Sequence, residues 1–453
     1  MPRPRTSRWR RLAGGATAAL TWFVALPPSS PEAAEASPEI QDVRALQASW
    51  ADGVTYRDET IPLELRPRAL AALDYRRYDP RNVRSSGLRL DRALIGIDGR
   101  AFERFTLRVL ADLRGTDTRN GLEEAWGSFE ALPRALRFTG GLLIVPLSIE
   151  YSFPEATLPF IDYAFPAFVT GRTDFGLGID GEFAEGGLSY ALTATGGEGH
   201  DLNGNSRNDP QISGRVVAYP FRRCESELDL GVYEIPIFSG IFVSAAASHS
   251  WGYDSPFDVP NSFRNKLVTT SGIEADRSFA YHFGYGLDLG PFRIIHETVH
   301  QTLRGVSLPD GTKRDFEGQN ASWSASFAWR ITGEPYDSRP YRQREHPPAL
   351  PTSPLYRDGR WGPGAIEVAV RYANVEIDRD LIDLGFTSTA IMPNRVGISS
   401  QESRTFDVAL NWIPWTPLRI TFQLTRTIAD QRPAVFDSHG RDTSFLVRGQ
   451  VSY

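Results

Sequence analysis

From Ser444 to Tyr453 the chain alternates two chemistries residue by residue. Phe445, Val447, Val451 and Tyr453 share one face of an extended strand, with Gly449 among them. Ser444, Arg448, Gln450 and Ser452 share the other, alongside Leu446. Successive side chains of a strand point to opposite faces, so a period of two marks a sheet with two different surroundings. Lipid on the apolar side and water on the polar side is the arrangement of a transmembrane β-barrel. The last strand of a soluble sandwich reads the same way, so the rest of the chain must decide.

The scheme recurs. Ile61, Leu63, Leu65, Ala69, Ala71, Leu73 and Tyr75 oppose Glu64, Arg66, Arg68 and Asp74. Phe105, Leu107, Val109, Ala111 and Leu113 oppose Thr106, Arg108 and Asp112. Leu188 to Ala194, Phe279 to Leu287, Trp323 to Ile331, Ile366 to Tyr372, Phe406 to Trp412 and Leu418 to Leu424 repeat the pattern. Arg330, Arg371 and Arg419 fall on their polar faces. An Arg facing lipid at mid-bilayer costs ~2–4 kcal/mol. The charged faces are therefore expected to line a lumen.

The other end of the chain supports export. Arg3, Arg5, Arg8, Arg10 and Arg11 precede an apolar run from Ala13 to Leu26, then Pro27 and Pro28. Ala34-Glu35-Ala36 offers the small residues that a signal peptidase reads. That run is too short to span a bilayer, so residues 1–36 read as a signal peptide cut after Ala36. No other segment approaches the ~18 consecutive apolar residues of a membrane helix. Mean hydropathy is −0.31, because a barrel dilutes lipid-facing residues with lumen-facing ones. The 10 Trp, 16 Tyr and 26 Phe fit aromatic girdles. Cys224 is the single cysteine, which excludes an intramolecular disulfide. The formal charge of −6 gives no support to nucleic-acid binding.

Residues 37–60 read as a short polar lead-in and 61–453 as one barrel. Gly196–Pro210, Pro309–Asn320 and Tyr336–Gly364 are polar, Gly-rich separators, expected as long extracellular loops opposite short periplasmic turns. About 417 residues shared among 16 strands give ~26 per strand with its connection, and 18 strands also fit. The fold class is all-β, a transmembrane antiparallel β-barrel. A terminal aromatic suits the assembly of such barrels in the outer membrane.

Several blocks together resemble the phosphate-selective porin O and P family of Gram-negative outer membranes. They are Phe168-Val169-Thr170-Gly171-Arg172 with the strand Phe175 to Phe183, and Ile212-Ser213-Gly214-Arg215-Val216 with Pro220-Phe221. Next come Gly290-Pro291-Phe292 and Ile331-Thr332-Gly333-Glu334. Gly364-Ala365-Ile366-Glu367-Val368 with Arg371-Tyr372-Ala373 follows, then Asn411-Trp412 with Arg419, and Phe445 with Arg448 and Gln450. In order they cover roughly residues 60–453. The resemblance implies about 16 strands, a homotrimer, a loop folded into the lumen, and a row of basic side chains that passes anions such as phosphate. The inward loop is expected at Val145–Ala167, preceded by a stretch, Gly141 to Leu147, that lacks the cations the family often carries there. With only Lys266 and Lys313 in the chain, any cationic ladder is built from Arg. Arg172, which matches the Gly-Arg after the loop, is the first candidate. Arg66, Arg68, Arg108, Arg293, Arg330 and Arg371 complete the pore-lining set, with Arg419 and Arg448 on the same faces. Asp74, Asp112, Glu297, Glu367 and Asp407 share that inner wall and are expected to pair with some of them.

Two other motifs invite metal. His296-Glu297-Thr298-Val299-His300 spells a zinc-protease signature, which works only on a helix. Here the run is rich in β-branched residues. On a strand the imidazoles stand ~13 Å apart with Glu297 on the opposite face, so no zinc site is expected. Asp201-Leu202-Asn203-Gly204-Asn205 with Asp209 resembles a calcium loop without its closing Glu, and reads as a solvated loop tip. The expectation is a passive outer-membrane channel for small hydrophilic solutes, surrounded by lipid and lipopolysaccharide. It needs no catalytic residue, cofactor or metal. A barrel enzyme of the phospholipase or protease type and a general, non-anion-selective porin are the alternatives.

Overall fold

The computed structural model describes residues 44–49, 53–58, 61–78, 86–114, 121–169, 173–197, 210–223, 227–229, 234–236, 238–255, 258–260, 266–269, 273–308, 311–336, 351–357, 359–378, 402–430 and 440–453. A hairpin comes first, β1 (Arg44–Ser49) with β2 (Gly53–Asp58). Then come β3 (Leu63–Arg77), β4 (Gly87–Ala101), β5 (Phe105–Asp112), β6 (Leu122–Leu132) and β7 (Leu136–Ile144). β8 (Thr173–Phe183), β9 (Leu188–Thr195), β10 (Gln211–Ala218), β11 (Ile241–Ser250) and β12 (Arg277–Leu289) follow. β13 (Phe292–Ser307), β14 (Lys313–Arg330), β15 (Ala365–Glu376), β16 (Glu402–Trp415), β17 (Leu418–Ala429) and β18 (Arg441–Ser452) complete the set.

From β3 onward each strand pairs antiparallel with the next, and β18 returns to pair with β3 from Phe445↔Arg77 to Ser452↔Leu70. Sixteen strands therefore close into a barrel. Tyr453 extends the closure, its N–H donating to the Ala69 carbonyl at 2.8 Å and its carbonyl accepting from the Ala69 N–H at 3.1 Å. Closure matters because an unpaired strand edge cannot exist in hydrocarbon, where no water satisfies its backbone groups. Below Ala69 the same edge of β3 carries β2, paired from Asp58↔Leu63 to Tyr56↔Leu65. The stretch read as a lead-in thus includes a hairpin.

Polarity is inverted relative to a soluble protein. Leu73, Tyr75, Ile95, Leu107, Leu177, Phe283, Leu410, Phe422 and Leu424 are exposed on the outside. Asp74, Glu124, Asp288, Glu367, Asp407, Asn411 and Gln423 are buried on the inside. The alternation read from the sequence holds in β3, β5, β9, β12 and β14 to β18. Leu446, on the polar face, is buried against Tyr78 and Ile161. One departure is a bulge in β4, where Ala72 pairs with Arg92 and Leu73 with Leu90. It skips Asp91, so that Asp91 and Arg92 both turn inward.

The connections differ from expectation in two places. Lys313–Asn320, assigned to a loop, lies in β14. Tyr336–Gly364 does not join the long loops: its described residues, 336, 351–357 and 359–364, lie at the end of the barrel that holds the short turns. There the Tyr336 N–H reaches Gly290, in the Gly290–Pro291 turn, at 2.7 Å. That turn needs Gly290, at φ 56°, a left-handed conformation that glycine adopts without strain. Alternation gives the strands but not the side on which a long connection falls.

Replacing Tyr453 with Ser should lower the yield of closed barrel, read as the heat-modifiable band on a gel. The aromatic ring on the outward face would be lost while the backbone bonds to Ala69 remain possible. An unchanged yield would show that the ring does not contribute to closure.

Candidate functional site

Between β7 and β8 the chain turns into the lumen. Val145, Leu147, Ile149, Tyr151, Phe153, Leu158, Phe160, Ile161, Tyr163 and Phe165 are all buried there. Each large apolar side chain removed from water contributes ~1.5–3 kcal/mol, which explains why so hydrophobic a connection folds inward. Short 3-10 turns at Glu150–Ser152 and Glu155–Thr157 and a helical turn at Pro166–Val169 keep it compact. Tyr151, Phe153, Leu158 and Tyr163 pack with Val217, Tyr219 and Phe242 of the wall side. Phe165 and Val169 pack with Val299, Leu303, Phe316 and Val375.

The loop crosses to the opposite wall. β7 and β8 are the fifth and sixth barrel strands, counted from β3, so β15 and β16 face them across the lumen. On β15, Arg371 donates to Glu150 (3.0 Å) and to the Asp162 carbonyl (2.9 Å) while pairing with Asp407 of β16 (2.9 Å). Asn411 of β16 donates to the Pro159 carbonyl at 2.9 Å. On β17, Arg419 donates to the Ala156 carbonyl at 3.1 Å, and Gln423 accepts from the Ile161 N–H at 2.9 Å. On β18, Arg448 donates to the Ile161 carbonyl at 3.0 Å. Arg92 of β4 grips Glu155 with two bonds of 2.7 and 2.6 Å. Nearer the loop's start, Arg215 of β10 holds the Ser148 carbonyl at 3.1 Å and also bonds Ser152. Glu297 of β13 accepts from Ser148 Oγ (3.1 Å), the Ile149 N–H (3.0 Å) and the Glu150 N–H (3.3 Å).

The arginines named from sequence divide into two groups. Arg293, Arg330 and Arg371 are buried. Arg293 makes two bonds to Asp288, at 2.6 and 2.8 Å, and stacks over Phe153 and Tyr336. Arg330 lies 3.4 Å from Glu367 and 3.9 Å over the Tyr336 ring. Burial first, and the charge of Glu367 next, raise the Tyr336 phenol well above its ordinary value. It therefore stays protonated and donates to Glu367. Arg419 and Arg448 are buried as well, Arg419 on Glu367 at 3.2 Å and Arg448 on Asp74 at 2.7 Å. A buried charge is tolerated only when paired and hydrogen-bonded, and these are. Arg66 and Arg68 differ, with side chains 49% and 43% exposed, each paired on one side, to Glu64 and Asp98 respectively. Arg108 bridges Asp98 (2.7 Å) and Glu124 (3.5 Å) beside Trp126. Arg172 lies outside the described residues, as does the Asp201–Asp209 segment.

A cavity of about 110 Å³ separates the loop turn Pro154–Ala156 from the wall of β3 to β6. Arg68, Leu70, Leu94, Arg108, Leu110 and Glu124 line it. Arg76, which pairs with Asp74 and Asp91, and Arg92 and Arg215, which bond the loop, were not singled out from sequence. Parity alone finds Arg76 and Arg215, on the faces of Asp74 and Ser213. The bulge at Asp91 hides Arg92.

On β13 Glu297 points inward, whereas His296 and His300 point outward, stacked on Tyr285 and Tyr281 with ring centroids 5.0 Å apart. The zinc-protease spacing is thereby split across two faces. Among the described residues no group of three or more His, Cys, Asp or Glu could hold a metal. Ser148 and His282 both bond Glu297, the imidazole Nδ1 lying 3.1 Å from its carboxylate. The hydroxyl thus donates to an acid and not to an imidazole base, which is not how a serine nucleophile is activated.

The architecture is that of a transmembrane β-barrel of the outer-membrane type. Among solved structures, OprB of Pseudomonas putida matches with a TM-score of 0.50 at 9% identity, covering 86% of this chain and 94% of that chain. OmpT, an outer membrane protein of Vibrio cholerae in its trimer form, matches with a TM-score of 0.50 at 10% identity, covering 86% and 99%. At such identities the likeness is one of fold. No protein-family model and no curated protein sequence matches the chain.

Glu297→Ala should release the start of the loop. Four donors, Ser148 Oγ, His282 Nδ1 and two backbone amides, would lose their acceptor, at about 1–3 kcal/mol for each that stays buried and unsatisfied. The expected result is a lower urea midpoint together with larger and noisier single-channel currents. If both stay at wild-type values, the carboxylate does not hold the loop.

Proposed function

We propose that the protein is a passive channel of the Gram-negative outer membrane for small hydrophilic solutes, with small anions such as phosphate its preferred cargo. The observation that carries the reading is a closed barrel with a polar inner wall, narrowed by a loop pinned across it. Solutes would pass beside the loop, past the cavity that Arg68 and Arg108 line. The chain would reach the membrane after removal of residues 1–36, with the short-turn end in the periplasm and lipid and lipopolysaccharide around it. It would assemble as a homotrimer, as the trimer form of the Vibrio cholerae protein suggests.

Anion preference rests on the arginines that keep exposed surface, Arg66 and Arg68. An Arg keeps its charge at every accessible pH and binds oxyanions through two N–H groups at once. The buried arginines act differently: they and their carboxylates anchor the loop, and their fields largely cancel. Selectivity should therefore be modest. It should grow at low salt, where the Debye length is longer.

Reconstituted in planar bilayers, the protein should form open, ohmic channels without a ligand. A folded barrel that conducts nothing would remove the channel reading.

In a salt gradient the zero-current potential should favour chloride over potassium, and Arg66→Gln with Arg68→Gln should move it toward cations. Phosphate should partly block chloride current in the wild type and block it less in the double variant. A wild-type channel that prefers potassium would refute the anion reading and leave the channel intact.

A further inference from the structure

Where large apolar side chains face the lumen, the loop covers most of them. Val299, Leu303 and Val375 pack beneath Phe165 and Val169, and Leu446 packs beneath Ile161. Leu70, Leu94 and Leu110 are different. They stand half-buried around the cavity of about 110 Å³ under the loop turn Pro154–Ala156. Leu70 pairs with Leu94 across β3 and β4. In the next row Gly96 stands between Arg68 and Leu110. No side chain fits at Gly96, because a Cβ there would lie 2.2 Å from the Val109 carbonyl oxygen. Three leucines and a bare stretch of backbone thus make an apolar hollow in a polar wall. An apolar group that covers them releases water favourably.

The rim of the hollow carries an available cation. Arg68 donates only through Nε, to Asp98 at 2.7 Å, and its side chain stays 43% exposed. Its two terminal nitrogens make no hydrogen bond to a described residue. The carboxylates that line the cavity are already engaged. Arg92 grips Glu155 with bonds of 2.7 and 2.6 Å. Glu124 accepts from Trp126 Nε1 at 3.2 Å and lies 3.5 Å from Arg108. A guanidinium with both terminal groups available holds a carboxylate through two bonds at once.

We infer that this hollow is a subsite for a small organic monocarboxylate with a compact apolar body. The carboxylate sits on Arg68, and the hydrocarbon lies between Leu70, Leu94 and Leu110 with Pro154 and Ala156 above it. An apolar cavity of ~150 Å³ takes benzene, so this one suits a group of about five or six carbons. A solute of acetate's size leaves the leucines bare, and a neutral ring leaves Arg68 unanswered. The inference rests on the channel reading for the route by which a solute arrives. It adds an apolar requirement that a row of charges alone does not impose.

The test is equilibrium binding to the full folded barrel in detergent, followed by saturation-transfer NMR against empty micelles, with cyclohexanecarboxylate as the probe. Acetate matches its charge and cyclohexylmethanol its ring. The probe should bind about tenfold more tightly than either, because only it satisfies both halves of the site. Leu94→Ser should bring its Kd to that of acetate, and Arg68→Gln to that of cyclohexylmethanol. If Leu94→Ser does not give the heat-modifiable fold, Leu110→Ser makes the same test. The inference is overturned if the probe binds no tighter than acetate, if its advantage survives the serine variant, or if Arg68→Gln leaves its Kd unchanged. Chloride conductance of the same preparations separates the readings. Conducting barrels that do not prefer the probe overturn the subsite alone, and barrels that bind it without conducting overturn the channel alone.

Discussion

Charge buried inside the barrel organises everything else in this molecule. Asp74, Glu297, Glu367 and Asp407 lie on the inner wall almost without solvent, and Arg371, Arg419 and Arg448 lie beside them. None of these groups could remain ionised there alone, because desolvation of a single ion costs several kcal/mol. Pairing offsets part of that cost, and the bonds left over on each guanidinium fall on carbonyls of the loop. Arg371, Arg419 and Arg448 each hold a wall carboxylate and a loop carbonyl at once. The loop crosses the lumen because the wall needs its oxygens as much as the loop needs the wall.

That dual role changes what an inward arginine means. The sequence places arginines on polar faces, and a row of them reads as a path for anions. The structure assigns most of that row to construction. Among the described arginines of that row, only Arg66 and Arg68, near the hairpin of β1 and β2, keep large exposed surfaces. The apolar residues of the loop, from Val145 to Phe165, explain why no cation was found in the stretch before it. This segment is held inward by packing as well as by charge.

Alternation was legible because period two survives in β3, β5, β9, β12 and β14 to β18, and because lipid permits no exception by charge. A barrel followed from it, but the strand number did not: 16 and 18 both fitted the chain length, and the structure has 16. Three features were not legible. The bulge at Asp91 changes which residues of β4 face inward, and nothing in Leu90-Asp91-Arg92 announces it. The contacts between Ser148 and Glu297, or Ile161 and Arg448, join residues far apart in the chain, and no local pattern encodes their meeting. The side on which 336–364 falls depends on counting strands, which fails as soon as Lys313–Asn320 is read as a loop.

The hairpin of β1 and β2 has a mechanical consequence for the seam. β2 occupies the edge of β3 as far as Leu65, and β18 occupies it from Ala69 onward through Tyr453. A two-residue slide of β18 toward β2 would bring its end up against the Tyr56–Leu65 pair, while a slide the other way would break the bonds at Ala69. The short ribbon parked on the first strand is thus a doorstop that limits how far the last strand can slide along it.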